Sequence, residues 1–322
     1  MRSLRGLGLL GLYVGAQVVA LLLALPFKSA GLATNSNPTS PTAPLYIIFL
    51  IVLVPIPIIY LARKKGFAAV LRGLILVGIS GSLFITLQAA LALVLPAPFF
   101  LGNPQAGVVG DWSVPFAGAL AVFLLLALAI HPQWYVVDLV GFVAAGSLTA
   151  ILGISFAILP ALILLTALLV YDAIAVYGTK HMLALADVVT EMKVPILMVV
   201  PSDPGFDYTQ SGGLKAQQAK PREEREAMFM GLGDIVIPGT LVVSAFVFLP
   251  AKLVALGIGA NVFAALGALL GSLLGYAVLI RLVNRGNAQA GLPFLNGGAI
   301  AGYALAYLLL FHNPSLGISL AL

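Results

Sequence analysis

Nine stretches of the chain are predominantly apolar, at about 6–27, 45–62, 69–95, 113–131, 134–155, 158–180, 229–250, 253–280 and 290–311. A helix rises about 1.5 Å per residue, so a bilayer core of roughly 30 Å takes about 20 apolar residues. The pattern predicts nine transmembrane helices and an all-α polytopic membrane protein. Connectors as short as His131-Pro132-Gln133 join the fourth to sixth of them.

The polar intervals differ in character. Residues 29–44 are rich in Ser, Thr, Asn and Pro and predict an exposed external loop. Residues 96–112 mix Gly, Pro and aromatic residues, as expected of a surface cover. The longest interval, 182–228, lies between the sixth and seventh runs. Within it, 182–192 predicts a short interfacial amphipathic helix with Asp187 and Glu191 on its polar face. Residues 194–200 are apolar, too short to span and β-rich, which predicts a strand ending at Pro201. Residues 202–221 predict a linker and 222–226 a solvated helical lead into the seventh span. The expected division is an amino-terminal membrane region, 1–157, and a catalytic membrane region, 158–322, that includes the loop 182–228.

Composition agrees with this picture. The chain is 61% hydrophobic and only 8% charged, whereas soluble domains carry about 25% charged residues. The net charge of +5 does not indicate nucleic acid, because no aromatic-basic recognition pattern accompanies the basic residues. Topology accounts for it. With the amino terminus in the cytoplasm, thirteen of the sixteen Lys and Arg residues fall inside and only Lys28 and Lys252 outside; Arg72 lies near an inner end. That is the positive-inside arrangement. The loop 182–228 is then cytoplasmic and the carboxyl terminus external. The first run follows Arg2 and Arg5 but exceeds the roughly 7–15 apolar residues of a signal-peptide core, so it is read as a retained helix.

The chain has no cysteine, and its three histidines are scattered. Thiol chemistry is excluded, and neither a metal site nor a cofactor is expected. Carboxylates remain. Ionisable residues within spanning runs are rare and usually functional, and two acids lie well inside such runs, Asp172 and Asp234. The predicted helices place Asp172 roughly 12 Å from an inner end and Asp234 roughly 8 Å inside its own, so the two match in depth. Adjacent carboxylates titrate as a unit, one tending to hold a proton while the other stays charged. Such a pair suits water-mediated peptide hydrolysis. Gly231 and Gly233 leave the approach to Asp234 uncrowded, and Pro238 weakens the helix one turn on.

Other positions read as structural. Asp138 follows Trp134 and Tyr135 and is assigned to an interface or to packing. Tyr171 either bonds toward the neighbouring Asp172 or packs between helices. Gly267, Gly271 and Gly275, like Gly11 and Gly15, recur every four residues and predict close helix contacts. Gln17, Gln88 and Asn261 are expected to bond between helices.

Tyr171-Asp172, Gly231-Leu232-Gly233-Asp234 and Pro293-Phe294-Leu295 resemble, in order and in their spans, the YD, GxGD and PAL motifs of presenilins and signal peptide peptidases. Phe294 departs from the series, which has Ala there. The resemblance implies a nine-span presenilin-like fold and an intramembrane aspartyl endopeptidase with Asp172 and Asp234 catalytic. It assigns Tyr171, Gly231, Leu232, Gly233, Pro293, Phe294 and Leu295 to shaping the site or holding substrate. The implied partners are transmembrane protein or peptide substrates and membrane lipids, with no accessory subunit required and a homo-oligomer allowed. The basic residues favour the presenilin-like of the family's two orientations. A substrate helix must unwind locally, and its extended segment either pairs with the strand at 194–200 or finds that segment lying as a loop at the interface. The main alternative is a proton- or cation-coupled transporter using the same acids. A third reading is a noncatalytic membrane scaffold or chaperone.

Overall fold

The computed structural model describes residues 2–61, 66–94, 100–101, 110–111, 113–179, 194–203, 205–208, 224–255, 257–283 and 289–318. Ten α-helices are seen among them. They are α1 (Arg2–Ser29), α2 (Ala43–Leu53), α3 (Pro55–Leu61), α4 (Phe67–Val94), α5 (Ser113–Ile130), α6 (Trp134–Ser155), α7 (Ile158–Ala173), α8 (Gly233–Phe248), α9 (Ala260–Val283) and α10 (Leu292–Phe311). Seven of the apolar runs form helices long enough to cross a bilayer, and α2 and α8 are shorter apolar helices. Together they occupy the nine expected positions.

Between α4 and α5, β1 (Phe100–Leu101) pairs antiparallel with β2 (Gly110–Asp111). Three boundaries depart from the hydrophobic pattern. The second run breaks at Val54, because Pro55 and Pro57 supply no N–H to continue the ladder of α2. The eighth begins with a small hairpin, β5 (Leu253–Ala255) with β6 (Ile258–Gly259), turning at Gly257 with φ 73° before α9 starts. The seventh begins as a strand. Leu197–Pro201 (β3) and Ala227–Gly231 (β4) pair antiparallel, Leu197 opposite Gly231 and Pro201 opposite Ala227. The expected strand at 194–200 is therefore present in part as β3, but residues 227–231 are β4 and not the opening of a helix. The expected helical lead lies partly outside the described residues, and Glu224, Arg225 and Glu226 form no α-helix. The interfacial helix at 182–192 and most of 96–112 and 202–221 also lie outside the described residues.

α1, α6, α7, α8, α9 and α10 share the main apolar core, in which Leu9, Tyr13, Ala145, Leu165, Leu241 and Tyr303 are fully or almost fully buried. α4 and α5 add a second cluster against α6 and the ribbon. Leu22, Val77, Leu274 and Leu309 face outward, as side chains meeting lipid do. α9 and α10 form the most extensive helix pair. A Cβ at Gly271 would enter the Gly298 carbonyl, and one at Gly275 the Phe294 carbonyl, so the backbones touch directly, as the four-residue spacing predicts. Of the pair in α1, Gly15 packs under Phe142, whereas a Cβ at Gly11 would meet nothing within 4 Å.

Polar side chains lock the bundle across helices. Gln17 Nε2 donates to the Ile235 carbonyl at 2.8 Å, and Asn261 Nδ2 to the Phe246 carbonyl at 2.7 Å. Tyr13 and Ser272, both fully buried, share a hydroxyl bond of 2.6 Å. At one end of the bundle, the loop after α1 covers the α6–α7 corner, where Ala157 N–H donates to the Pro38 carbonyl and Thr34 N–H to Ser155 Oγ.

Candidate active site

Asp172 is the penultimate residue of α7, just before the backbone widens into a π-helical turn, Ile174–Gly178. Such turns insert an extra residue and recur at functional sites. The side chain is buried. Its Oδ2 accepts the Leu292 N–H at 3.0 Å, and the Gly291 N–H also bonds the carboxylate. The chemistry of α10 explains why. Its first N–H groups have no acceptor within the helix, and Pro293 occupies its first turn. Asp172 satisfies them from another helix and sits at the end of the helix dipole that favours negative charge.

Asp234 is the second residue of α8. It lies in the first helical turn and not roughly 8 Å along a continuous helix, because the preceding residues are β4. Gly231, the last residue of β4, donates its N–H to the Asp234 carboxylate. Pro238 has no N–H, so the Asp234 carbonyl lacks the partner four residues on that an unbroken helix provides. Gln17 holds the adjacent Ile235 carbonyl.

The two acids converge, and one dipeptide touches both: Gly291-Leu292 donates to Asp172, while a Cβ at Gly291 would lie 2.8 Å from Asp234 Oδ1 and 2.9 Å from its Cγ and Oδ2. Neither Gly291 nor the Leu292 N–H stood out in the sequence. The signal was there in principle, since a residue just ahead of a proline-opened helix carries N–H groups in need of an acceptor.

The remaining predicted residues fall around this centre. Gly233 is exposed, with nothing within 4 Å of where its Cβ would be, so one side of Asp234 is open. Leu232 is buried and its N–H donates to the Ile196 carbonyl at 2.9 Å. Leu295 is fully buried, whereas Pro293 and Phe294 are half-buried. Phe294 packs against the main core, and its carbonyl nests on Gly275. Tyr171 lies with its hydroxyl 3.5 Å from the Ile51 carbonyl of α2, in keeping with helix packing. Asp138 takes the packing role of the two expected for it: it is buried, and its Oδ1 accepts the Val199 N–H of β3 at 2.7 Å. Tyr208, beyond the spans, is buried beside it. Burial, and then the Asp138 charge, push the Tyr208 hydroxyl up to about 12.

Two carboxylates are brought together from separate helices of an apolar bundle, held by backbone N–H groups, with one side open beside Gly233, an arrangement with the parts that acid–base hydrolysis needs. Sequence and structure comparisons agree. Residues 10–311 match the family described as signal-peptide peptidase, presenilin aspartyl protease. Two solved structures of a presenilin family intramembrane aspartate protease, in different space groups, are similar to this chain. One has 30% identity and a TM-score of 0.63, covering 94% of this chain and 99% of the other. The second has 31% identity and a TM-score of 0.61, covering 92% and 95%. No curated protein sequence matches significantly. The chain belongs to the signal-peptide peptidase and presenilin aspartyl protease family. It is an intramembrane aspartyl protease and a multi-pass integral membrane protein; the transporter alternative finds no support.

Proposed function

We propose that the protein hydrolyses peptide bonds within or near transmembrane helices of membrane-protein substrates, with Asp172 and Asp234 as a general acid/base pair and water as the nucleophile. The observation that carries this is the convergence of both carboxylates on Gly291-Leu292. The ionised acid takes a proton from water as its oxygen attacks the peptide carbonyl, and the protonated acid donates to the carbonyl oxygen. The roles then reverse, so that the amine leaves protonated. Gly231, Gly233 and Leu232 shape one wall and Pro293, Phe294 and Leu295 the other. Residues 158–322 carry the chemistry, and 1–157 support it.

An extended substrate segment pairs with the ribbon, and the available edge is that of β4. β3 is bonded on one side to β4 and on the other to Asp138 through Val199. Phe229 of β4 has no backbone hydrogen-bond partner among the described residues, so strand addition falls there and not on 194–200. Purified protein in liposomes is expected to cut a single-span test substrate within its span, with the new termini placed by mass spectrometry. Absence of cleavage, or cleavage only in the substrate's soluble flanks, counts against the assignment.

The amino terminus and the loop 182–228 are assigned to the cytoplasm and the carboxyl terminus to the exterior, on the distribution of basic residues. Substrates with external amino ends are then preferred. In sealed, right-side-out vesicles, residues 215–225 are expected to resist added protease and to become cleavable on permeabilisation. Cleavage before permeabilisation reverses the orientation. No accessory subunit is invoked, and activity of the purified chain alone tests that as well; a homo-oligomer in lipid remains compatible with the site.

A further inference from the structure

The β3–β4 ribbon is held at both edges by carboxylates. In this register, Leu232 N–H reaches the Ile196 carbonyl and Ser202 N–H the Glu226 carbonyl. The residues between them that bond across the ladder are therefore Met198 with Met230 and Val200 with Met228, because bonded pairs alternate along antiparallel strands. Val199 and Gly231 point their N–H groups outward, from opposite edges. Val199 donates to Asp138 of α6, and Gly231 donates to Asp234. The ribbon thus spans from a noncatalytic carboxylate to one of the two acids of the proposed pair.

Contacts on the segments either side of β3 flank this bond. Gln133, which caps α6, donates from Nε2 to Asp207 Oδ1 at 3.1 Å and accepts the Tyr208 N–H on Oε1 at 3.3 Å, both in the stretch after β3. Gly141, one helical turn beyond Asp138, lies beneath Pro195, where a Cβ would come 3.6 Å from the Pro195 carbonyl oxygen. Val199 is fully buried and Asp138 nearly so. A carboxylate so placed, bonded to a single strand N–H, has a purpose beyond solvation at an interface.

We propose that Asp138 is a positioning residue of the protease: by fixing β3 against α6 it sets the place of β4 and keeps the Gly231 N–H on Asp234. This rests on the assignment of Asp234 to catalysis. The interaction needs an acceptor oxygen and not a charge, so the variants separate cleanly. In full-length purified protein, Asp138→Ala is expected to lower kcat by about tenfold or more with KM within about threefold, since the loss falls on the geometry of the reacting group. Asp138→Asn, which keeps an acceptor oxygen, stays within about threefold of the unaltered protein in both.

Amide exchange gives a readout independent of catalysis. In Asp138→Ala, the Val199 and Gly231 amides are expected to exchange faster by about tenfold or more, with the amides of residues 241–245 unchanged. If Asp138→Ala does not fold, Val199→Pro removes the donor from the strand side at a position whose N–H points away from β4, where proline costs the ladder no hydrogen bond, and the same loss of kcat is expected. Unchanged kcat in the folded alanine variant overturns the proposal, as does an asparagine variant that falls as far as the alanine. In the fallback, full activity of Val199→Pro overturns it too. Failure of the Asp234 assignment itself shows separately, as cleavage surviving in Asp234→Asn.

Discussion

Asp172→Asn and Asp234→Asn are each expected to lower kcat/KM by about a thousandfold or more, because a general acid or base is worth roughly 10²–10⁴ in rate and here one group serves in both steps. Asn is nearly isosteric and keeps one acceptor oxygen. In Asp172→Asn that oxygen can still receive the Leu292 N–H, now at 3.0 Å from Oδ2. The helix opening of α10 therefore stays satisfied, and the variant is expected to purify and melt like the unaltered protein. What it cannot do is exchange a proton with water or with the departing amine. The double variant is expected to be no worse than either single one, since groups that act as a unit do not lose activity additively. Cleavage of a single-span substrate in liposomes, read beside thermal unfolding, tests this. A folded single variant retaining more than about a tenth of the activity would sink the two-carboxylate mechanism.

The membrane bundle was legible in the sequence because hydropathy is a property of each run alone. The span at 134–155 coincides with α6, and the four-residue glycine repeat anticipated the α9–α10 contact. What stayed hidden depends on distant partners. Residues 229–231 continue an apolar run, but they are a strand because Leu197, Met198 and Val199, about thirty positions earlier, pair with them. The partner of Asp138 stayed hidden because Trp134 and Tyr135 describe only its local setting, while Val199 lies 61 positions away. Phe294 was the odd residue of its motif. Its bulk is accommodated because the side chain leans on the main core and the close approach to α9 is made by its carbonyl over Gly275.

Gly291 was the least visible of all, for it has no side chain to carry a signal, yet its substitution is expected to be among the most damaging. Its backbone is ordinary, with φ −80° and ψ −47°, so alanine imposes no conformational strain. The whole effect is steric. A Cβ there would sit 2.8–2.9 Å from three atoms of the Asp234 carboxyl group, well inside van der Waals contact. Either the carboxyl group turns away or the opening of α10 retreats, and with it the Gly291 and Leu292 N–H groups that hold Asp172. Both responses separate the acids, and displacements of about 1 Å at a reacting centre cost about a hundredfold. Gly291→Ala is thus expected to lose about a hundredfold in kcat/KM and Gly291→Val more, with little change in melting temperature for the alanine. Gly11→Ala, where the added Cβ meets nothing within 4 Å, is the control and keeps its activity. Full activity in Gly291→Ala would mean that the Asp234 carboxyl group moves aside at no catalytic cost, and that its contact with the start of α10 has no part in the reaction.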